Sequence, residues 1–314
     1  MRTSLVCGVS SFLVLIGWSL AVHAQSITEG FEDVPTLLST GGWVAVNNSD
    51  EPTTTFDWVQ GVPGTGTDGL GLNAQSGPID SFAQVAFSAS NGAIVSDWLL
   101  TPEVTLQAGA TISFWTVAEP GTAFANDLQV AISLNGASIN VGSSTQTPLG
   151  GDFHLVTNGD LNPTLAVPVY PQAWTEFTFT LTSGEVPAAT MGRIGLRYFI
   201  PDTDTQGSTI GVDTFSFAPP AAPTSFTATT SGNWNDSTLW TPNGIPNGTN
   251  NIANLVLPGS GTRTLNLTGA TFTVNQLNVT GAGQGAWNVS NGTLIFGGTT
   301  PIFTDQSTAT GIYV

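Results

Sequence analysis

From Leu128 to Leu134 every second residue is apolar: Leu128, Val130, Ile132 and Leu134. The same alternation runs through Phe177, Phe179 and Leu181, and through Ile194, Leu196, Tyr198 and Ile200. Successive side chains of a strand point to opposite faces, so each run builds one apolar face of a sheet. No stretch longer than two turns carries the three-to-four residue spacing of an amphipathic helix. The pattern therefore predicts an all-β chain, with an antiparallel two-sheet sandwich over residues 25–217, and it excludes parallel α/β folds. Asn135-Gly136 and Asn158-Gly159 read as turns between strands.

The rhythm changes after Ala218-Pro219-Pro220-Ala221-Ala222-Pro223, a proline-rich stretch that cannot pair as a central strand and reads as a linker over 218–224. Over 225–314 short strands (253–257, 262–267, 271–279 and 292–296) alternate with glycine-containing turns, the cadence of a β-solenoid. Such a coil needs several turns to bury its core, and the sequence stops at Val314 without a capping pattern, so a truncated segment is expected.

Residues 1–24 have the order of a secretory signal: Arg2, an apolar stretch from Phe12 to Val22, and small residues Val22 and Ala24 before a cleavage point ahead of Gln25. The apolar stretch falls short of the roughly 20 residues a membrane span needs. Cys7 precedes most of the apolar stretch, where a lipoprotein cysteine would follow it. The mature chain is thus expected outside the cell, secreted or at the cell surface, without a membrane-spanning segment and without disulfides.

Past the leader the basic side chains are Arg193, Arg197 and Arg263, against 21 acidic residues and no lysine. Phosphate neutralisation has almost nothing to work with, so nucleic acid is excluded as a partner. One histidine, His154, remains, with no cysteine and no Gly-x-Ser-x-Gly elbow. A Ser-His-Asp site would have to use His154, which lies between Gly150 and Pro163 with no motif around it and reads as a loop residue. A zinc site built from several His or Cys ligands is impossible. A pair of carboxylates acting on glycosides remains as an alternative, because such pairs meet in space and not in sequence.

Residues across nearly the whole of the first region carry a family resemblance. They are Gly30-Phe31-Glu32, Gly42-Trp43, Asp57-Trp58, Ser96-Asp97-Trp98-Leu99-Leu100-Thr101-Pro102, Ile112-Ser113-Phe114-Trp115, Trp174, and the closing Gly211-Val212-Asp213-Thr214-Phe215-Ser216-Phe217. In order and spacing the region resembles the choice-of-anchor J domains of bacterial surface proteins. These are related to the cleaved adhesin domains of secreted proteases and, more distantly, to MAM-type jelly rolls. The resemblance implies a jelly-roll module, frequently with bound calcium and sometimes with an adhesive or carbohydrate-binding role. The family's closing motif often has two consecutive acids, whereas here Asp213 is followed by Thr214. The opening of the second region, Gly232-Asn233-Trp234-Asn235-Asp236 through Leu239-Trp240 and Gly244-Ile245-Pro246, resembles the entry of an autotransporter-type β-helix.

Calcium is the cofactor expected, as a structural ion, because a hard cation takes six to eight oxygens and this chain offers carboxylates, asparagines and turn carbonyls. Asp202 and Asp204 alternate before Gly207, and Asp213 is the twelfth residue counted from Asp202, the cadence of a calcium loop without its helices. Asp213 also shares parity with Phe215 and Phe217, so an unbroken strand would turn its carboxylate toward two aromatics. There it needs a partner, either a metal or Arg193 or Arg197. The resemblance adds Glu32 as a ligand of the same ion. Among the tryptophans, Trp98 and Trp115 lie in apolar runs and read as core. Trp43 and Trp58 flank a polar Asn-Ser-Asp loop and are the candidates for an exposed ligand face.

The sequence as a whole predicts an all-β protein, an antiparallel jelly-roll β-sandwich followed by a short β-solenoid-like segment. It reads as a non-catalytic adhesion or binding module with an extracellular glycan or a surface protein as partner. The alternatives are a carbohydrate-binding module of a polysaccharide-acting system, a glycoside hydrolase, and a stalk with no ligand.

Overall fold

The computed structural model describes residues 25–53, 57–64, 69–143, 149–221, 224–257, 259–281, 285–298, 301–306 and 312–313. The secretory signal expected over residues 1–24 lies outside them, and among the described residues no helix is long and apolar enough to cross a membrane.

Among the described residues the first region folds as twelve strands, one short α-helix and a single 3-10 turn at Phe87–Ala89. The strands are β1 (Ile27–Glu29), β2 (Val44–Asn47), β3 (Val59–Gln60), β4 (Ala83–Ala86), β5 (Val95–Leu100), β6 (Val104–Leu106), β7 (Thr111–Ala118), β8 (Leu128–Ser133), β9 (Phe153–Asp160), β10 (Thr175–Thr180), β11 (Thr190–Ile200) and β12 (Thr209–Ala218). Helix α1 (Val34–Ser39) begins at Asp33, whose Oδ1 accepts a 3.0 Å hydrogen bond from the Thr36 N–H, with Pro35 in the first turn where no donor is lost. Sheet 1 has the order β10-β7-β12-β4-β3, with β1 beside the second half of β12. Sheet 2 has the order β2-β5-β11-β8-β9, with β6 also on β11. Every pairing in both is antiparallel. β5 and β6 follow the same partner strand, interrupted where Pro102 has no N–H for the ladder.

The core between the sheets is made by the predicted alternation. Leu128, Val130 and Ile132 of β8, Ile194, Leu196, Tyr198 and Ile200 of β11, and Phe179 of β10 are all buried in one cluster. Asn158-Gly159 is a different matter. It lies inside β9, with Asn158 at φ +61° and the β8 register shifted beside it, so it is a bulge and not a turn.

The second region is a parallel β-solenoid of about three coils. Its strands are β13 (Thr224–Ala228), β14 (Gly232–Asn233), β15 (Gly248–Leu257), β16 (Gly261–Asn266), β17 (Thr271–Gly281), β18 (Gly285–Ser290), β19 (Thr293–Phe296), β20 (Ile302–Asp305) and β21 (Ile312–Tyr313). They stack as β13-β15-β17, continued by β19 and β20, and as β14-β16-β18-β21. Trp234, Trp240 and Trp287 fill its core, and Trp234 stacks on Phe272 at 5.6 Å. Stacked amides reinforce the coils from outside the core: Asn278 Nδ2 donates to Asn254 Oδ1 at 3.0 Å, and Asn254 Nδ2 to Ser225 Oγ at 2.7 Å.

Candidate binding face and carboxylate sites

The centre of the outer face of sheet 1 is set by a single extra residue in β12. Asp213 pairs with Trp115, but the next pair in register is Ser216 with Ser113, and Thr214 sits in the bulge at φ +51°. A β-branched residue with positive φ is a strained conformation and marks a site the surrounding structure holds in place. The bulge changes the parity of the strand: Ile210 and Val212 face the core before it, and Phe215 and Phe217 after it. Asp213 therefore points outward, away from the two phenylalanines. The sequence parity had placed it among them, and the extra residue is the reason it is not.

Trp115 points outward beside it. Its neighbours Phe114 and Thr116 are buried, while Trp115 is only partly covered. Directly across the ladders stand Glu176 on one side and Asp213 on the other. The next outward row is Thr178, Ser113, Ser216 and Thr28, four hydroxyls on the adjacent strands β10, β7, β12 and β1. Neighbouring strands are about 4.8 Å apart, so this row is evenly spaced. On the other side, Leu70, Phe82, Val117 and Trp174 pack together, and Trp174 Nε1 donates to the Asn73 carbonyl at 2.8 Å. The reading of Trp115 as core is thus corrected, whereas Trp98 is fully buried.

Trp43 and Trp58 are also not where the sequence put them. They are 3% and 1% exposed, and Trp43 makes edge contacts with Phe31 at 5.6 Å and Phe215 at 5.3 Å inside the main core. Indoles that fill so much of the interior offer no face to a ligand.

The four proposed metal ligands fall into two places. Asp202 serves its own turn, with Oδ1 accepting from the Asp204 N–H at 3.1 Å and Oδ2 from Thr205 Oγ1 at 2.8 Å; Asp204 is exposed. β12 then rises from Thr209, so Asp213 lies more than 10 Å further along at about 3.3 Å per residue. The twelve-residue cadence does not close into one loop, because its second half is an extended strand. Glu32 and Asp213 do approach a common segment. Asp213 Oδ2 accepts from the Ser76 N–H at 3.0 Å, its Oδ1 accepts from the Thr214 N–H at 2.6 Å, and Thr214 Oγ1 bonds Gln75 Oε1 at 2.9 Å. Glu32 Oε1 lies 2.6 Å from where a side chain at Gly30 would begin and 4.0 Å from the same point at Gly77. The two glycines leave the space the Glu32 carboxylate occupies beside the 75–77 loop. Burial raises the pKa of Asp213, and the N–H groups of Ser76, Thr214 and Gln75 pull it back. Among the described residues no three His, Cys, Asp or Glu side chains converge on one point.

An arginine is not the partner of Asp213. Arg193 and Arg197 belong to sheet 2, on the far side of the core. Arg193 donates to the carbonyls of Gly42 and Thr101. Arg197, 1% exposed, lies 4.0 Å above the Phe199 ring and 5.5 Å from Trp98, and it donates to Ser96 Oγ at 2.9 Å and Gln129 Oε1 at 3.1 Å. Burial lowers its pKa to about 10, against the pull of Asp127 and Asp160.

Those two acids form a carboxyl pair that sequence reasoning missed. Asp160 Oδ2 accepts from Gln129 Nε2 at 3.1 Å, and Asp127 Oδ1 from the Asn162 N–H at 3.0 Å. Burial first, then the Asp160 charge, raises Asp127 to about 8. Carboxyls in hydrogen-bond contact are closer than either glycosidase geometry requires, and Asp127 is buried. His154 lies on strand β9, exposed, rather than in a loop.

No protein-family model and no curated protein matches the chain. Among solved structures it is similar to the K3 cleaved adhesin domain of Lys-gingipain from Porphyromonas gingivalis W83, at 18% identity over 62% of this chain and 98% of that one, with a TM-score of 0.37. It is also similar to the carbohydrate-binding module TmCBM61 in complex with β-1,4-galactotriose, at 16% identity over 60% and 92% of the two chains and a TM-score of 0.33. A third is the CBM22-1 xylan-binding domain of Xyn10C from Paenibacillus barcinonensis, at 14% identity over 62% and 94%, with a TM-score of 0.31. By its own topology the chain is a two-sheet antiparallel jelly-roll sandwich followed by a parallel β-solenoid.

Proposed function

We propose that residues 25–217 are a non-catalytic glycan-binding module of a secreted or surface-attached protein of the choice-of-anchor J kind, displayed by the solenoid that follows. The observation that carries this reading is Trp115, a partly exposed indole between two cross-strand carboxylates and beside a row of four hydroxyls. An indole face stacks on the apolar face of a sugar ring, while hydroxyls and an exposed carboxylate such as Glu176 take its OH groups. Calcium held by Glu32 and Asp213, with Gln75 beside them, would supply positive charge that fixes the 75–77 loop against the edge of this platform. The net acidity of the chain favours a neutral glycan over an anionic one.

The test is a glycan array followed by calorimetry on the best ligand with the full chain and Trp115→Ala. Losing a central aromatic anchor costs about 2 kcal/mol or more, so affinity falls about 30-fold. Unchanged affinity in the variant overturns the assignment of the site.

A further inference from the structure

A second carboxylate site lies between the sheets, near the β2 edge of sheet 2. Asp97 of β5 shares its face with Val95 and Leu99, both in the core, and stands opposite Asn47 on β2 and Tyr198 on β11. It is 0% exposed, and neither of its carboxylate oxygens has a hydrogen-bond partner. The indole Nε1 of the buried Trp58 donates to the Asp97 main-chain carbonyl at 3.3 Å and not to its carboxylate. A buried carboxylate without a donor is among the most costly groups a core can hold.

The surroundings add acceptors instead of donors. Asn47 Nδ2 stands where three oxygens converge: the Thr53 carbonyl at 3.1 Å, the Ala89 carbonyl at 2.8 Å and Asp57 Oδ1 at 2.5 Å. The Thr53 N–H also donates to the Ala89 carbonyl at 2.9 Å, so the two amide hydrogens of Asn47 are taken up by the Thr53 carbonyl and Asp57 Oδ1 and leave none for Asp97. Burial first, then the charge of Asp57, raises the pKa of Asp97 well above the usual carboxylate range, with only the nearby Trp98 N–H pulling it back, and burial raises that of Asp57 against its bond from Asn47. The domain's cationic side chains are engaged elsewhere: Arg193 with the carbonyls of Gly42 and Thr101, and Arg197 on the opposite face of β11. Two carboxylates and a main-chain carbonyl with so few donors among them are the donor set of a hard cation, and rotation of the Asn47 amide would add its oxygen at the expense of the 3.1 Å bond that Oδ1 accepts from the Ser49 N–H.

We propose that Asp97, Asp57 and Asn47, with the main-chain carbonyls of Thr53 and Ala89, bind a calcium ion inside the sandwich, separate from any ion at Glu32 and Asp213. Asp57 is partly exposed and gives the ion its route in. This ion ties the segment between β2 and β3 to β5, and so staples the sheet edge from which Trp58 enters the core.

The experiment uses the full chain, stripped with chelator, then titrated with calcium chloride by calorimetry and melted with and without calcium. Wild type, Asp97→Asn, Asp57→Asn and Asp213→Asn are compared. Asp97→Asn and Asp57→Asn are each expected to bind one calcium fewer than wild type, and Asp213→Asn leaves that equivalent in place. In chelator, Asp97→Asn melts no lower than wild type, because the substitution removes an uncompensated buried charge. With calcium at about a hundred times its dissociation constant, wild type gains roughly 5–10 °C from this site, which the variant forgoes. The proposal is overturned if Asp97→Asn binds as many calcium ions as wild type, or if wild type binds none and Asp97 simply retains its proton. Loss of calcium only in Asp213→Asn also overturns it, while sparing the Glu32 and Asp213 assignment. Failure of the Trp115 platform to bind glycan leaves it untouched.

Discussion

The two outer faces of the sandwich carry the same kinds of residue and use them in opposite ways. On sheet 2, Trp98, Arg197, Ser96 and Gln129 are buried, stacked and hydrogen-bonded to one another, with Phe153 and Val141 packed against Trp98. On sheet 1, Trp115 is partly exposed and faces the exposed Glu176 across the ladder, while the 75–77 loop covers Asp213 and Leu70 and Phe82 cover the neighbouring part of the sheet. A tryptophan beside polar groups is thus no signature of a site by itself. What separates a structural indole from a binding platform is whether another segment of the chain covers it.

The largest effect expected is on the covered face. Trp98→Ala removes a fully buried indole and lowers stability by about 3–5 kcal/mol, read as the shift in urea midpoint at constant m-value. Trp115→Ala should move the same midpoint by well under half of that; equal losses in the two variants would erase the distinction between the faces.

The covered face also holds the Asp127 and Asp160 pair, which adds a pH dependence. A carboxyl whose folded pKa is raised contributes stability that is complete below its unfolded value near 4 and is lost as pH rises toward about 8. Urea midpoints of the wild type should therefore fall across that interval, and Asp127→Asn should flatten the slope. An unchanged slope would mean that the pair shares no proton.

On the open face the effects are smaller and concern binding. Glu176→Gln keeps the shape and exchanges a charged hydrogen bond for a neutral one at an exposed position, a difference of about 1 kcal/mol, so glycan affinity should drop about fivefold with no change in melting temperature. A change in stability without a change in affinity would assign Glu176 to the sheet and not to the ligand.

Much of this architecture was legible in the sequence. The alternation at Leu128, Val130 and Ile132 and at Ile194, Leu196 and Tyr198 named inward faces that the structure keeps, and the cadence after Pro223 marked a region that folds as a parallel solenoid. The candidate sites were legible only in part. Asp213 is bonded by the Ser76 N–H and Glu32 lies near Gly77 of the same loop, while Asp202 and Asp204 belong to a separate turn. Trp43 and Trp58 sit next to polar loops in sequence and are nonetheless driven into the core by their size. Asp97 was in plain view between Val95 and Leu99 on one face of its strand, but a linear sequence does not show that this is the covered face or that Asn47 and Asp57 come up beside it.

The sequence by itself determined the all-β class, the apolar faces of the main strands and the poverty of basic charge, because periodicity and composition are local or additive properties. Only the tertiary structure decided which way Trp115 and Asp213 point and which face of each sheet stays open. A period of two defines two faces without saying which will be covered, and one inserted residue at Thr214 exchanges them.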